Sequence, residues 1–190
     1  MSKVENLIKG DKKMNQHKII GTNYYIEELD KSMVSQNYVN WMNDLKVNEY
    51  METRHYKHTM DSVLEFVNQK NKSVTEFLFG IFEKKEERHI GNIKVGPVNK
   101  EKKVADISYF IGEREHWGKG AATEAISLIV EFSFKKLKLK KLYANSYLQN
   151  KASMQVLVKN NFIFEKTKKM TRTKDDKLTD YTIFSLTNNK

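Results

Sequence analysis

The chain has 190 residues, of which 34 are Lys or Arg and 24 are Asp or Glu, so its formal net charge is +10. This length predicts one compact domain, and the lack of cysteine excludes disulfides, cysteine-ligated zinc and cysteine nucleophiles. The positive charge favours an anionic partner, whether a nucleic acid, an acidic lipid or a polyphosphate ligand.

No apolar run approaches the ~20 residues that span a bilayer, and the N-terminal segment lacks the apolar core of a signal peptide. We therefore expect a cytoplasmic protein that does not bind membranes. Residues 1–16 are interpreted as a polar tail and residues 17–190 as the folded domain.

Hydrophobic periodicity and capping residues predict a mixed α/β sheet domain. Ser32 and Thr59 are placed to cap the first two helices. The predicted elements, in chain order, are a strand at 19–29 interrupted by Gly-Thr-Asn, helices at 32–42 and from 59, strands at 77–82, 90–95 and 104–111, a helix at 121–136, a strand at 140–147, a helix at 150–159, and strands at 162–168 and 178–186.

The segment VADISYFIGEREHWGKGAATEAI, residues 104–126, carries the strongest functional signal. A strand leads into a turn containing Gly118-Lys119-Gly120, and the turn opens a helix. The first N–H groups of a helix are unpaired and carry partial positive charge, and glycines let the backbone approach a ligand closely. The pattern predicts a site for an anionic group such as phosphate.

Two common phosphate-binding motifs do not fit this turn. A P-loop needs four residues between its first Gly and Gly-Lys and then Ser or Thr, whereas five residues separate Gly112 from Gly118, and Gly120 follows the lysine. A dinucleotide fingerprint needs Gly or Ala at the position of Thr123 and an acidic residue ~20 positions further on, where the sequence reads KLKLKK. An acyl-CoA site is the third candidate.

The turn resembles the acetyl-CoA signature of the GNAT superfamily of N-acyltransferases. It is similar in particular to the branch of ribosomal-protein N-terminal acetyltransferases and bacterial sugar acetyltransferases. In that branch WGKG, a small or aromatic residue and ATEA open the central helix, and this chain reads WGKGAATEA from Trp117. The family also carries Asn-x-x-Ser after the next strand, here Asn150 to Ser153, and a helix ending in Gly-Phe, here Asn161-Phe162. Two linked motifs are more specific than a lone GKG.

The resemblance implies a single-domain α/β GNAT-like fold with a mixed, mostly antiparallel central sheet flanked by helices. Three positions depart from the family pattern. Glu115, beside Arg114, stands where the superfamily has Gln or Arg, and Asn161 replaces a Gly at a left-handed helix end, which Asn tolerates well. Leu157 stands where many members have a Tyr that protonates the leaving thiolate.

The resemblance also implies that acetyl-CoA is the acyl donor and that no metal takes part. The diphosphate would lie on the turn, and the pantetheine arm along the 107–112 strand, where a backbone N–H would polarise the thioester carbonyl. The implied coenzyme-binding residues are Phe110, Ile111, Gly112, Trp117, Gly118, Lys119, Gly120, Ala121, Ala122, Asn150 and Ser153.

Two residues are candidates for catalysis. Asp106 is a carboxylate in an otherwise apolar strand, on the same face as Ser108. It is our candidate for the base or the group that orients the amine, and the alternative is a solvated edge residue. Some members of the branch use the serine of Asn-x-x-Ser to protonate the thiolate, so the resemblance implies this role for Ser153. The alternatives are that Ser153 caps its helix or binds pantetheine.

The acceptor is expected where residues 41–54 meet the sheet, with Trp41, Asn48, Glu52 and Arg54 as candidate substrate residues. The alternative is a solvated helix–loop surface. The run HIGNIKVGPVN, residues 89–99, is similar to members associated with surface-carbohydrate pathways. This favours a primary amine on an amino sugar, with or without a linked nucleotide, over a protein N-terminus. A non-catalytic acyl-CoA-binding domain is the remaining alternative.

Nucleic acid and metal ions are not expected partners. The basic residues are spread out and show no aromatic-interleaved RNA signature. His55 and His58 form the one close histidine pair in the sequence, with no cysteine and no second pair to complete a site. The expected partners are a CoA thioester and a small amine, and the oligomeric state stays open between a monomer and a homodimer.

Overall fold

The computed structural model of the chain describes residues 17–169 and 180–189. The predicted tail at 1–16 and the first two residues of the last predicted strand lie outside them. The strands are β1 (Lys18–Ile20), β2 (Tyr24–Glu28), β3 (Phe77–Glu83), β4 (Arg88–Val95), β5 (Val104–Ile111), β6 (Lys141–Tyr147), β7 (Ile163–Lys169) and β8 (Asp180–Thr187). The helices are α1 (Gln36–Asn43), α2 (Met60–Lys72), α3 (Ala121–Lys135) and α4 (Lys151–Lys159).

All eight strands belong to one sheet, in the order β1-β2-β3-β4-β5-β6-β8-β7. Strands β5 and β6 are parallel, and every other neighbouring pair is antiparallel. A parallel pair needs a long crossover connection, and α3 supplies it. The predicted mixed, mostly antiparallel sheet flanked by helices is confirmed. No helix in the described part of the chain is long and apolar enough to cross a bilayer.

Helix α3 packs across one face of the sheet. Ile126, Ile129 and Phe132 on this helix are buried, and the Phe132 ring makes edge contacts with the rings of Phe77 and Phe79 on β3, at centroid distances of 5.7 and 5.1 Å. Burying a side chain of this size contributes ~1.5–3 kcal/mol. The many apolar residues of α3 are explained by this burial against the sheet.

Helices α1 and α2 cover part of the opposite face, where Trp41 and Val67 pack with Leu78 of β3. As predicted, Thr59 caps α2. Its hydroxyl accepts the Ser62 N–H at 3.2 Å, and the Ser62 hydroxyl accepts the Thr59 N–H at 2.9 Å. This reciprocal capping box satisfies two N–H groups at the helix start.

The helix predicted at 32–42 is wrong at its start. The Asp30 carboxylate accepts the Ser32 N–H at 2.6 Å and caps a short 3-10 turn at Lys31–Met33, after which Val34 is extended. Helix α1 begins after Ser35, whose hydroxyl accepts the Tyr38 N–H at 3.4 Å. Both serines are favourable N-caps, and Asp30 decides between them by holding Ser32 in the earlier turn.

Candidate functional site

The parallel pairing between β5 and β6 ends half-way along both strands. Its residue pairs run from Val104–Lys141 to Ile107–Ala144, whereas β5 continues to Ile111 and β6 to Tyr147. Beyond that point each strand stays paired on its outer edge, β5 with β4 and β6 with β8. The two strands therefore diverge, and a slot opens between their C-terminal halves.

Two residues of β5 direct their backbone polar groups into this slot. Backbone groups of successive residues in a strand point to opposite edges. The Gly112 N–H donates to the Ile90 carbonyl of β4 at 2.8 Å, so the N–H of Phe110, two residues earlier, also faces β4. The backbone groups of Tyr109 and Ile111 consequently face the slot.

The glycine turn predicted to bind an anion leads from β5 into α3. Gly118 and Gly120 have φ angles of +73° and +88°, in the left-handed region that favours glycine. The turn is exposed. Within the described residues, the N–H groups of Gly118, Gly120, Ala121 and Ala122 have no backbone acceptor. These groups and the positive end of the α3 dipole together suit a diphosphate.

Glu124 in the first turn of α3 fastens the helix to the β1–β2 turn. Its Oε1 accepts the backbone N–H groups of Asn23 and Tyr24 at 2.9 and 3.2 Å. Glu124 belongs to the ATEA motif, and in this structure its side chain supports the position of the helix start.

His116 connects the turn to two strands. Its Nε2 lies 2.9 Å from Arg88 Nη2 and its Nδ1 lies 3.2 Å from the Tyr24 hydroxyl. Arginine can only donate, so Nε2 is the acceptor and Nδ1 carries the hydrogen. Arg88 also pairs with Glu115, and this guanidinium holds the pKa of Glu115 below its usual range. Glu115 thus forms an ion pair with a neighbouring strand at the position where the superfamily has Gln or Arg.

The start of α4 lies against the slot. Asn150 caps the helix by accepting the Ser153 N–H at 3.0 Å. The Ser153 hydroxyl lies 2.9 Å from the Tyr109 hydroxyl. Leu157, at the position of the family tyrosine, is fully buried, so Tyr109 and Ser153 are the hydroxyl groups that α4 and β5 bring to this place.

The 3-10 turn Glu52–His55 contacts the other wall of the slot, at the end of β6. The Tyr147 hydroxyl donates to Glu52, and the Arg54 guanidinium lies 3.4 Å from that hydroxyl and over the ring. Burial and the Glu52 carboxylate raise the pKa of Tyr147. Glu52 is therefore held at the mouth of the slot by a residue that sequence reasoning missed.

Trp41 and Asn48, predicted to contact substrate, are buried in the frame around the site. Trp41 donates from Nε1 to Glu113 at 3.1 Å, and its ring lies where a Cβ on Gly112 would come within 2.1 Å. The Asn48 side chain donates to the Met42 carbonyl at 2.8 Å. The Trp41 contacts hold the end of α1 against the segment that follows β5, and the Asn48 bond ties the next loop to α1.

Asp106 lies in the paired half of β5, opposite Tyr143. Its side chain keeps contact with solvent. Partial burial raises the pKa of its carboxyl group, while Lys94 acts in the opposite direction. Ser108, on the same face, lies two residues closer to the open end, a step of about 6.6 Å along a strand.

These features surround one continuous cleft of about 1370 Å³, which runs from the glycine turn through the slot to α2. Gly112, Lys119, Asp106, Trp41, Asn48 and Arg54 do not line it. The predicted site residues that line it are Phe110, Ile111, Trp117, Gly118, Gly120, Ala121, Ala122, Asn150, Ser153 and Glu52.

The Acetyltransferase (GNAT) domain model matches residues 28–163. The chain belongs to the GNAT acetyltransferase family. The sequence is 38% identical over 88 residues to the probable N-acetyltransferase YjcK of Bacillus subtilis, a match covering 46% of this chain and 48% of that protein. It is 27% identical over 128 residues to the uncharacterized N-acetyltransferase p20 of Bacillus licheniformis, covering 66% of this chain and 70% of the relative.

Solved structures share this GNAT fold. Spermidine N-acetyltransferase from Vibrio cholerae, solved with CoA and spermine, superposes with a TM-score of 0.79 at 19% identity over 88% of this chain and 96% of that chain. The microcin C7 self-immunity acetyltransferase MccE, solved with acetyl-CoA and AMP, gives 0.76 at 18% identity over 88% and 94%. Ribosomal-protein-S5-alanine acetyltransferase from Vibrio fischeri gives 0.73 at 18% identity over 91% and 97%.

We predict that Glu124→Ala lowers the free energy of unfolding by about 2 kcal/mol, because two backbone N–H groups lose a charged acceptor. Glu131→Ala on the same helix removes an exposed ion pair with Lys135 and should cost under ~0.5 kcal/mol. Urea unfolding measures both values. Equal losses in the two variants would show that Glu124 does not fasten the helix start.

Proposed function

We propose that this GNAT family member transfers the acetyl group of acetyl-CoA to the primary amine of a small acceptor. The observation that carries the proposal is the slot between β5 and β6, which opens directly beside the unpaired amides of the glycine turn. A diphosphate on those amides would leave the pantetheine arm next to the slot. The solved neighbours with CoA and acetyl-CoA support this assignment.

Bound acetyl-CoA supplies the activated acetyl group, and the chain positions it. The N–H groups of Tyr109 and Ile111 face the slot, and either can donate to the thioester carbonyl and stabilise the negative charge that develops there. Trp117 Nε1 donates to the Ile111 carbonyl at 2.8 Å, so this indole occupies the last carbonyl of β5 and leaves the Ile111 N–H for the thioester. Holding the thioester in one orientation lowers the entropic part of the barrier.

We assign the acceptor amine to the region between Glu52 and Asp106. Glu52 lines the cleft and, held by Tyr147, is placed to bind an ammonium group. Asp106 is the proposed base. Because it does not line the cleft and Ser108 lies about 6.6 Å further along the strand, the amine proton would reach it through ordered waters rather than directly. Its raised pKa makes it a stronger base than an ordinary aspartate.

The acceptor we propose is an amino sugar linked to a nucleotide. The charged side chains on the cleft are four lysines (Lys46, Lys57, Lys94 and Lys159) and two glutamates (Glu49 and Glu52). Lys94 forms an ion pair with Glu76 outside the cleft lining, so three lysines remain against the two glutamates. This cationic excess favours an acceptor with a phosphate group and disfavours a polyamine. Three exposed aromatic residues, Tyr50, Tyr56 and Phe66, line the same end, and such rings stack on sugars and nucleobases.

The acceptor class is tested by supplying acetyl-CoA with UDP-glucosamine, glucosamine, spermidine or an Ala-starting peptide and measuring CoA release. We expect kcat/KM for UDP-glucosamine to exceed that for spermidine by at least about tenfold, which corresponds to about 1.4 kcal/mol. Replacing Lys46 and Lys57 by Gln should reduce kcat/KM for UDP-glucosamine more than for glucosamine. The control Lys102→Gln, in the β4–β5 loop, should change neither.

Each other outcome has a definite meaning. A preference for the peptide would indicate a protein N-terminal acetyltransferase, and a preference for spermidine would contradict the charge argument. Binding of acetyl-CoA without transfer to any amine would indicate a non-catalytic acyl-CoA-binding domain. If calorimetry detects no acetyl-CoA binding, the enzyme hypothesis fails.

The proposed roles of the two carboxylates are distinguished by comparing Asp106→Asn with Glu52→Gln. Loss of the base should lower kcat about a hundredfold or more in Asp106→Asn, the range for removing general-base assistance. Loss of an ammonium-binding group should chiefly raise the acceptor KM in Glu52→Gln. Glu101→Gln, in an exposed loop, is the matched control. An unchanged kcat in Asp106→Asn, with the loss in Glu52→Gln instead, would transfer the base role to Glu52.

A further inference from the structure

Tyr109 and Ser153 form a pair of hydroxyl groups beside the slot. The two oxygens are 2.9 Å apart, and the Tyr109 hydroxyl also lies 3.3 Å from the Ser153 carbonyl. The backbone of Ser153 is fixed because its N–H donates to the Asn150 side chain that caps α4. Both residues line the cleft, so their hydroxyl groups meet at the place where a pantetheine arm would end.

The direction of this hydrogen bond follows from acidity. Burial raises the pKa of Tyr109 to about 12, with the Ser153 hydrogen bond acting in the opposite direction. A phenol with this pKa is still more acidic than an aliphatic hydroxyl, so the tyrosine is the better donor of the pair. Its one hydrogen has two acceptors on Ser153, and Oγ at 2.9 Å is nearer than the backbone carbonyl at 3.3 Å. When Tyr109 donates to Ser153 Oγ, the serine keeps its own proton for another acceptor.

We infer that Tyr109 is a positioning residue: by donating to Ser153 Oγ, it directs the Ser153 hydroxyl proton toward the sulfur of the departing CoA thiolate. This inference rests on the proposed function. The buried Leu157 stands at the position of the family tyrosine. In its place, two hydrogen-bonded hydroxyl groups, one from β5 and one from α4, would stabilise the thiolate.

The chemical step balances without proton transfer from the pair. The amine nitrogen forms a bond with the acetyl carbon and loses a proton to the base, while the C–S bond breaks and its electron pair stays on sulfur. A free thiol has a pKa of about 8.5, well below that of Tyr109. The pair therefore stabilises the thiolate by a hydrogen bond, and the sulfur takes its proton from water after release.

The test is the thiol pKa of CoA bound to the protein, followed by the rise in short-wavelength ultraviolet absorbance as the thiol ionises. A hydrogen bond to the thiolate lowers this pKa. We expect Ser153→Ala to raise it by about one unit or more, since a hydrogen bond to a charged group contributes ~1.5–3 kcal/mol. Tyr109→Phe should raise it by a smaller amount, and the double variant should match Ser153→Ala. Tyr143→Phe is the control. It removes a tyrosine hydroxyl from β6 that does not line the cleft, and it should leave the thiol pKa unchanged.

An unchanged thiol pKa in Tyr109→Phe, with CoA bound, overturns the inference and leaves the proposed function intact, whereas failure to bind CoA overturns the proposed function. If Tyr109→Phe does not fold, an isotope label on the tyrosine ring carbon ζ reports the link. The Tyr109 resonance should move in the wild-type protein as the bound thiol ionises, and should not move in Ser153→Ala. A wild-type resonance that ignores the thiol also overturns the inference.

Discussion

The end of strand pairing at Ile107–Ala144 is the constraint on which the site depends. An unpaired strand edge exposes donors and acceptors that otherwise attract another strand. Here β5 continues to pair with β4, and β6 with β8, past the point of divergence. Past Ile107 the facing edges of β5 and β6 are no longer paired with one another, so the N–H groups of Tyr109 and Ile111 stay available in the slot.

Two helices begin at this opening. The first residues of α3 and of α4, including Ala122 and Ser153, line the same cleft. Each helix start contributes partial positive charge, and α3 also contributes N–H groups without a backbone acceptor in the described residues. Glu124 fixes the orientation of α3 by its bonds to the β1–β2 turn. The fold thus concentrates positive potential from main-chain groups, independently of the lysines, where a diphosphate is expected.

Local patterns predicted the parts of the molecule that local chemistry decides. The strand before the glycine turn, the start of α3 and the Thr59 cap all follow from alternation or capping within a few residues. The start of α1 shows the limit of local patterns. Ser32 and Ser35 are both favourable caps, and the hydrogen bond from Ser32 to Asp30 leaves Ser35 as the cap.

The arrangement of the site depended on contacts distant in sequence. Trp41 meets Gly112, Tyr147 meets Glu52 across 95 positions, and Tyr109 meets Ser153 across 44. Alternation placed Tyr109 on the same face as Ile107 and Ile111, but no spacing indicated which helix covers that face. Sequence reasoning therefore found Ser153 and missed its partner.

The most direct measurement is a titration of the protein with CoA, followed by the amide nitrogen–proton correlation spectrum. We predict the largest shifts for Gly118, Gly120 and Ala121, whose N–H groups have no backbone acceptor within the described residues, and for Tyr109 and Ile111, which lie beyond the last residue pair of β5 with β6. Saturable binding that leaves these five resonances in place while moving others would show that the coenzyme is held elsewhere.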